Sequence, residues 1–362
     1  MTEIAVCQTW LRSVDAVYTL FEDPRLRAQY PDLAAKVEQS VRLSEEIINE
    51  VGLSSCALSF NGGKDCTVIV HILAAVLRRF AGLSQPFAVD DRSQPSSSSA
   101  PNGYFKSPLV PLSSVYIKCT SPFPILEDFI RASQTRYNLD LYTVPGDMKR
   151  GLVEYLGGGG ESGVPDMASR ETHSSGTHHQ QNTHRHQSKR QIKAIFIGTR
   201  RTDPTGGKLL DRPAAHVYVG TNLIRFPLWV YPCLSEDLQP RKWTDPSWPS
   251  LERIHLILDW NYVDVWAFLR CPALGQLSPD TTTESAQNRC SSANNSKPTQ
   301  DGTAGGGTSG VPYCILYDQG YTSLGSTFNT FPNPLLQTLE GTFRPAWQLE
   351  DGSSERAGRR KT

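Results

Sequence analysis

The run Ser59-Phe60-Asn61-Gly62-Gly63-Lys64-Asp65-Cys66 has the composition of an anion-binding turn. Its two glycines let backbone approach a ligand with no Cβ in the way. A helix starting at the lysine would aim unpaired N–H groups and its positive dipole end at that ligand. Lys64 adds a full charge, so the implied chemistry is phosphate binding. The run is not a Walker A loop, because Leu58 stands at the first glycine position and Asp65 follows the lysine. Nor is it G-x-G-x-x-G; a plain strand-to-helix turn is the competing reading. A second run, Gly198-Thr199-Arg200-Arg201-Thr202-Asp203-Pro204, follows Ile195-Phe196-Ile197. Two adjacent guanidiniums can grip phosphate oxygens in fork geometry. Asp203 could hold an arginine, a hydroxyl or a hydrated Mg²⁺, whereas a solvated Arg–Asp pair would be worth little.

These residues need elements to hold them, and the surrounding pattern supplies a set. Apolar residues at near-helical spacing predict a helix over 32–51, and Cys56–Phe60 reads as a short buried strand. Residues 66–80 form an apolar helix; 114–119 a strand; 123–137 a helix; 139–144 a strand; and 147–156 a helix capped by Asp147. Ala194–Gly198 and Ile254–Leu258 read as strands, and Trp260–Arg270 as a helix. Strands spaced by helices imply βαβ crossovers, hence an α/β fold with a mainly parallel sheet and helices on both faces. Both runs then fall at carboxyl ends of strands, where open α/β sheets bind ligands.

Three stretches break the pattern: 84–110, 157–190 and 273–310 are rich in Ser, Thr, Gly, Asn or His and are read as disordered insertions. The cluster His173, His178, His179, His184 and His186 falls in one of them and reads as part of a polar loop rather than a metal site. The 362 residues carry 36 Lys plus Arg against 36 Asp plus Glu. That balance argues against bulk attraction to nucleic acid or an anionic membrane. No apolar run approaches the ~20 residues of a membrane span, and Met1-Thr2-Glu3-Ile4 has no signal-peptide layout. A cytoplasmic protein is expected. The eight cysteines include no Cys-x-x-Cys, so neither zinc nor a disulfide framework is expected.

Three further blocks complete the set. They are Trp248-Pro249 through Arg253 with Ile257-Leu258-Asp259-Trp260-Asn261-Tyr262 and Asp264-Val265-Trp266-Ala267-Phe268-Leu269; Leu316-Tyr317-Asp318-Gln319-Gly320-Tyr321-Thr322-Ser323-Leu324-Gly325; and Glu355-Arg356-Ala357-Gly358-Arg359. On general grounds the aromatic helix is core packing and the last block a solvated tail. The phosphate run resembles the pyrophosphate loop of N-type ATP pyrophosphatases. All the blocks, in this order, resemble the eukaryotic FAD synthases of the PAPS reductase-like superfamily across about residues 30–360.

The resemblance implies an adenine nucleotide alpha hydrolase-like fold with the C-terminal tail folded back on the cleft. It implies transfer of AMP from ATP to FMN, giving FAD and pyrophosphate, with Mg²⁺ accompanying ATP. It implies catalytic roles for Asn61, Asp65, Asp203, Arg356 and Arg359. Substrate-binding roles follow for Ser59, Phe60, Gly62, Gly63, Lys64, Gly198, Arg200, Arg201 and Trp260; metal ligands are left unassigned. The expected partners are FMN and ATP alone, with no nucleic acid and no membrane, and the chain is expected to act as a monomer. Residues 1–30 are read as an N-terminal helical extension, 31–349 as a single synthase domain and 350–362 as the tail. With only residues 1–30 ahead of the domain, the monofunctional type is expected.

Two departures stand out. His255-Leu256 replaces the family's Asn-Pro pair, and 205–243 is an atypical, partly apolar insert where the family has a shorter loop. A PAPS reductase-like oxidoreductase would need a reactive C-terminal cysteine, and no Cys follows Cys314. A tRNA-modifying enzyme would bring paired cysteines and a basic surface. A catalytically silent nucleotide-binding protein is the alternative of a different class, which ATP binding without FAD formation would support.

Overall fold

Alternate residues of the central strands go to opposite apolar layers, so both faces of the middle of the sheet are covered. In β1 (Cys56–Ser59), Cys56 and Leu58 enter the larger core and Ala57 the smaller one. Phe196 and Ile195 divide in the same way in β4 (Ala194–Phe196). The structure is a computed structural model and describes residues 8–83, 109–146, 148–156, 191–203, 239–275 and 310–360, with the backbone of 216–219, 222–225 and 304–305.

Along the chain, helices α1 (Gln8–Glu22), α2 (Pro24–Gln29) and α3 (Pro31–Val51) precede β1. Then follow α4 (Lys64–Phe80), β2 (Leu112–Lys118), α5 (Pro124–Arg136), β3 (Leu139–Pro145), α6 (Met148–Tyr155) and β4. After them come β5 (His216–Val219), β6 (Asn222–Arg225), β7 (Arg241–Trp243), β8 (Glu252–Ile254) and α7 (Tyr262–Leu269), then the short β9 (Ala304–Gly305) and β10 (Tyr313–Cys314). The main sheet has the order β3-β2-β1-β4-β8-β7, parallel except for β7 on the edge. The chain runs outward from β1 to β3 and returns to β4 on the other side of β1. Right-handed crossovers then put α4 and α5 on one face and α6 on the other. The two cores agree: Leu126 and Phe129 of α5 lie in the larger, Leu152 and Tyr155 of α6 in the smaller. The reversal leaves a crevice between the carboxyl ends of β1 and β4.

Almost every residue of α4 is buried. A helix apolar all round must be covered all round, and α1 supplies part of that cover with Trp10, Val14, Val17, Leu20 and Phe21. Asp15 accepts two 2.8 Å hydrogen bonds from the Arg78 guanidinium of α4, and Ser13 donates to the Leu274 carbonyl at 2.5 Å.

Several expectations need correction. The apolar stretch 254–258 is not a strand: β8 ends at Ile254, and Leu258 N–H turns back to the His255 carbonyl. Leu256, Ile257 and Leu258 are buried as a turn, and burial alone does not distinguish a turn from a strand. The following helix begins at Tyr262 rather than Trp260, because Asn261 and Asp264 cap it reciprocally. The edges of three expected insertions are ordered. Leu109 and Leu274 are buried, Ala304–Gly305 pairs with Tyr313–Cys314, and Arg241–Trp243 is an edge strand rather than insert. Residues 216–219 and 222–225 pair as an antiparallel hairpin. The remainder of those insertions, the histidine cluster and the Asp147 cap lie outside the described residues.

Candidate active site

Gly62 shapes the turn after β1. Its φ is +70°, and a Cβ there would come within 2.7 Å of Ile130 on α5, so a side chain is opposed twice over. Asn61 closes the turn by accepting the Gly63 N–H at 2.9 Å. The Lys64 N–H donates to the Tyr317 hydroxyl at 2.9 Å. Of the four unpaired N–H groups that open α4, two are thus capped by side chains. The other two belong to Asp65 and Cys66, which line a cavity of about 470 Å³ in the β1–β4 crevice. Burial pushes the Cys66 thiol up to about 12, so it stands there as a neutral group.

Beneath the cavity lies a five-membered charge network. Lys64 Nζ donates to Asp65 at 2.9 Å and to Glu355. Arg200 donates to Asp203 at 2.8 Å and to Glu355 at 2.6 Å, and its Nε lies 3.0 Å from Asp65. The Arg200 backbone N–H also donates to Asp203 at 2.8 Å. Side chains of the two cations are 2% exposed, those of Asp65, Asp203 and Glu355 21%, 30% and 14%. The cations are therefore the buried layer and the carboxylates the layer nearer solvent. Two cations against three carboxylates leave one net negative charge.

Burial alone would lower the Lys64 pKa, but Asp65 and Glu355 raise it above the usual lysine value. Arg200 is likewise raised against burial by Asp65, Glu355 and Asp203. Burial raises Asp203 above the usual carboxylate range, with Arg200 opposing the shift.

The C-terminal tail closes the cavity. Its backbone is tied to the 322–333 segment: Thr322 donates to the Glu355 carbonyl at 2.6 Å, Asn333 to that of Ser354 at 2.9 Å, and Phe331 N–H to that of Gly358 at 2.9 Å. Arg356 is exposed and lines the cavity, and its guanidinium has no hydrogen bond or ion pair among the described residues. Arg359 lies behind Gly325, where a Cβ would overlap its guanidinium, and donates to Thr330 at 2.9 Å. Burial, with Arg356 nearby, lowers its pKa from the usual arginine value.

Ser59, Asn61, Gly63, Lys64, Asp65, Gly198, Arg200, Asp203 and Arg356 thus meet around one cavity. Others expected in the site lie elsewhere. Phe60 is a fully buried core ring, Gly62 packs on α5, and Arg201 pairs with Asp259 at 2.7 Å on the surface. Trp260 is buried against Phe268, with ring centroids 5.8 Å apart, and Tyr262 and Trp266 are core as well, as the aromatic spacing predicted. Lys64 and Gly63, expected to cradle phosphate, both line the cavity; the lysine ammonium is held by carboxylates and both backbone N–H groups are capped by side chains. Glu355 and Tyr317 were not singled out in the sequence, although both sit inside quoted blocks. The Glu beside an arginine and the Tyr of Leu316-Tyr317-Asp318 were the available signals.

Among the described residues no group of three or more His, Cys, Asp or Glu side chains is arranged to hold a metal ion. No helix among them is long and apolar enough to cross a membrane.

Residues 55–212 match the phosphoadenosine phosphosulfate reductase domain family. The chain is 27% identical over 330 residues to a probable FAD synthase of Schizosaccharomyces pombe, covering 91% of this chain and 81% of that one. It is 27% identical over 328 residues to a probable FAD synthase of Caenorhabditis elegans, covering 90% of this chain but only 40% of that protein. The fold is that of a Candida glabrata FMN adenylyltransferase solved with FAD and inorganic pyrophosphate. The TM-score is 0.55 at 20% identity, with 98% of each chain covered.

Proposed function

We infer that the chain is a member of the phosphoadenosine phosphosulfate reductase-like family and an FMN adenylyltransferase, an enzyme that makes FAD and pyrophosphate from ATP and FMN. The observation that carries this reading is the cavity at the β1–β4 reversal, where the phosphate loop, the Arg200–Asp203 turn and Arg356 meet. Relatives named FAD synthase along nine-tenths of the chain support it.

In the reaction an FMN phosphate oxygen bonds to the α-phosphorus of ATP while the bond from that phosphorus to the bridging oxygen breaks, releasing pyrophosphate. A phosphate monoester has a second pKa of about 6 and is mostly dianionic at neutral pH, so no strong general base is needed. The work left to the protein is to bring two anions into line and to stabilise the charge that shifts onto the leaving group. The Asp65 and Cys66 N–H groups and the α4 dipole supply fixed positive potential. Arg356 is the exposed cation at the cavity, and Lys64 and Arg200 act from below by fixing Asp65 and Asp203.

Mg²⁺ suits the oxygen donors at the cavity. Asp65 and Asp203 line it as hard oxygen ligands, and because both carboxylates are paired with Lys64 or Arg200 they would share those partners with an ion. These two side chains would hold the ion together with nucleotide phosphates. Bound there, it would neutralise phosphate charge, consistent with a carboxylate layer that carries net negative charge by itself.

The substrates are the small molecules ATP and FMN, and the balanced charge gives no basis for a nucleic-acid or membrane partner. We place the activity in the cytoplasm, in one domain acting as a monomer; its core takes in α1 as well as residues 31–349, and its cavity takes in the tail. Light scattering on the purified protein checks the monomer. The activity itself is tested by incubating the protein with Mg-ATP and FMN and resolving the flavins by chromatography. FAD is expected. ATP consumption with riboflavin or no flavin, and no FAD with FMN, would assign a different acceptor.

A further inference from the structure

The Glu355 carboxylate joins three distant parts of the chain, and we propose that it is the positioning residue that sets Arg356 against the phosphate loop. The inference rests on the adenylyltransferase reading. One Glu355 oxygen takes Lys64 at the start of α4; the other takes Arg200 beyond the end of β4, at 2.6 Å. Those are the two sides of the crevice. Both cations are buried and held in place by Asp65 and Asp203, so they form a fixed anchor rather than mobile surface groups. Glu355 is 14% exposed at the side chain, while the next residue, Arg356, is exposed to the cavity. Consecutive side chains in a 3₁₀-like turn diverge, so pinning one inward aims the next outward.

The tail does not need this carboxylate to fold. Thr322 and Asn333 bond the carbonyls of Glu355 and Ser354, Phe331 bonds that of Gly358, and Arg360 N–H bonds that of Asn329 at 3.0 Å. All of these tie the tail to the 322–333 segment, and none ties it to the phosphate loop. Among the described residues the Glu355 side chain is the ion-paired link from the tail to α4 and β4. Loss of that link should leave a folded tail whose Arg356 is no longer registered to the phosphates.

The test is a double-mutant cycle on the full chain. Glu355→Gln and Arg356→Gln are made singly and together, and FAD formation is measured at varied ATP and FMN. If Glu355 acts through Arg356, each single variant loses about ten-fold or more in kcat/KM, and the double variant stays within about two-fold of Arg356→Gln alone. Losses that multiply, or a Glu355→Gln enzyme as fast as wild type, would overturn the proposal. Should Glu355→Gln fail to fold, Glu355→Asp keeps the charge but is one methylene too short to reach both cations, and it is expected to stay folded by circular dichroism while losing kcat/KM to about the extent that Arg356→Gln does. An Asp variant at wild-type rate would also overturn the proposal. The same cycle is read as ATP affinity by calorimetry. A wild-type protein that makes no FAD would sink the adenylyltransferase reading, and the affinity cycle would still decide the role of Glu355.

Discussion

Arg200 and Arg201 are adjacent and identical, yet they do opposite things. Arg200 is buried and contacts three carboxylates; Arg201 holds Asp259 at the surface. Breaking a buried ion network by removing one partner leaves uncompensated charge and costs about 3–5 kcal/mol, whereas an exposed pair is worth about 0–1 kcal/mol. Arg200→Met should therefore lower the urea unfolding midpoint far more than Arg201→Met, and equal shifts would contradict the assignment. Both arginines carried the same expectation in the sequence, because type and spacing report which groups converge but not which of two neighbours faces inward. Asn61, Asp65 and Asp203 were legible because their chemistry matches their position at strand ends. Glu355 was not, since its importance lies in contacts 155 and 291 residues away. Lys64 was legible as a residue of the loop, but its pairing with Glu355, 291 residues away, was not.

At the level of elements, the phosphate loop depends on α5 as much as on β1. Gly62→Ala places a side chain at φ +70° and against Ile130 and Leu126. Strain and overpacking together should cost about 1–3 kcal/mol and lower ATP affinity; a variant with wild-type stability and affinity would show that the loop tolerates a Cβ. Helices and strands with a strong apolar period were readable nearly to their ends, α3 and β3 among them. The stretch after β8 was not, because Leu256, Ile257 and Leu258 are buried in a turn and a short apolar run looks the same in either conformation. The two-residue shift in the start of α7 follows from the Asn261–Asp264 capping box, a signal present in the sequence but outweighed by the apolar Trp260. Deleting residues 1–23 would strip α1 from α4 and expose a helix apolar on every side. The truncated chain is expected to be insoluble, and a soluble, active truncation would contradict a core role for α1.

Across the whole molecule, pH acts through buried histidines remote from the cavity. Burial pushes His71 down to about 3 and His255 down to about 4, from an ordinary value near 6.5. Between those limits the unfolded chain binds more protons than the folded one, so stability rises with pH. Their contribution is complete above about 6.5 and is lost as pH falls through 4 and 3. The urea midpoint should therefore fall steadily from pH 7 to pH 4, and a flat profile would contradict this. The fold class was legible from the alternation of strands and helices. The strand order was not, and the order is what sets β1 beside β4 and makes the crevice.

The most direct test of the account is the stoichiometry of product release. Purified protein is mixed with Mg-ATP, with and without FMN, and FAD and pyrophosphate are quantified in the same samples for wild type, Asp65→Ala and Asp203→Ala. Equal amounts of FAD and pyrophosphate, dependent on FMN and reduced at least about 100-fold in both variants, are predicted on the scale expected for a group lost from a preorganised phosphoryl-transfer site. Pyrophosphate released without FMN, or FAD formed at the wild-type rate by the Asp203→Ala protein, would contradict the account.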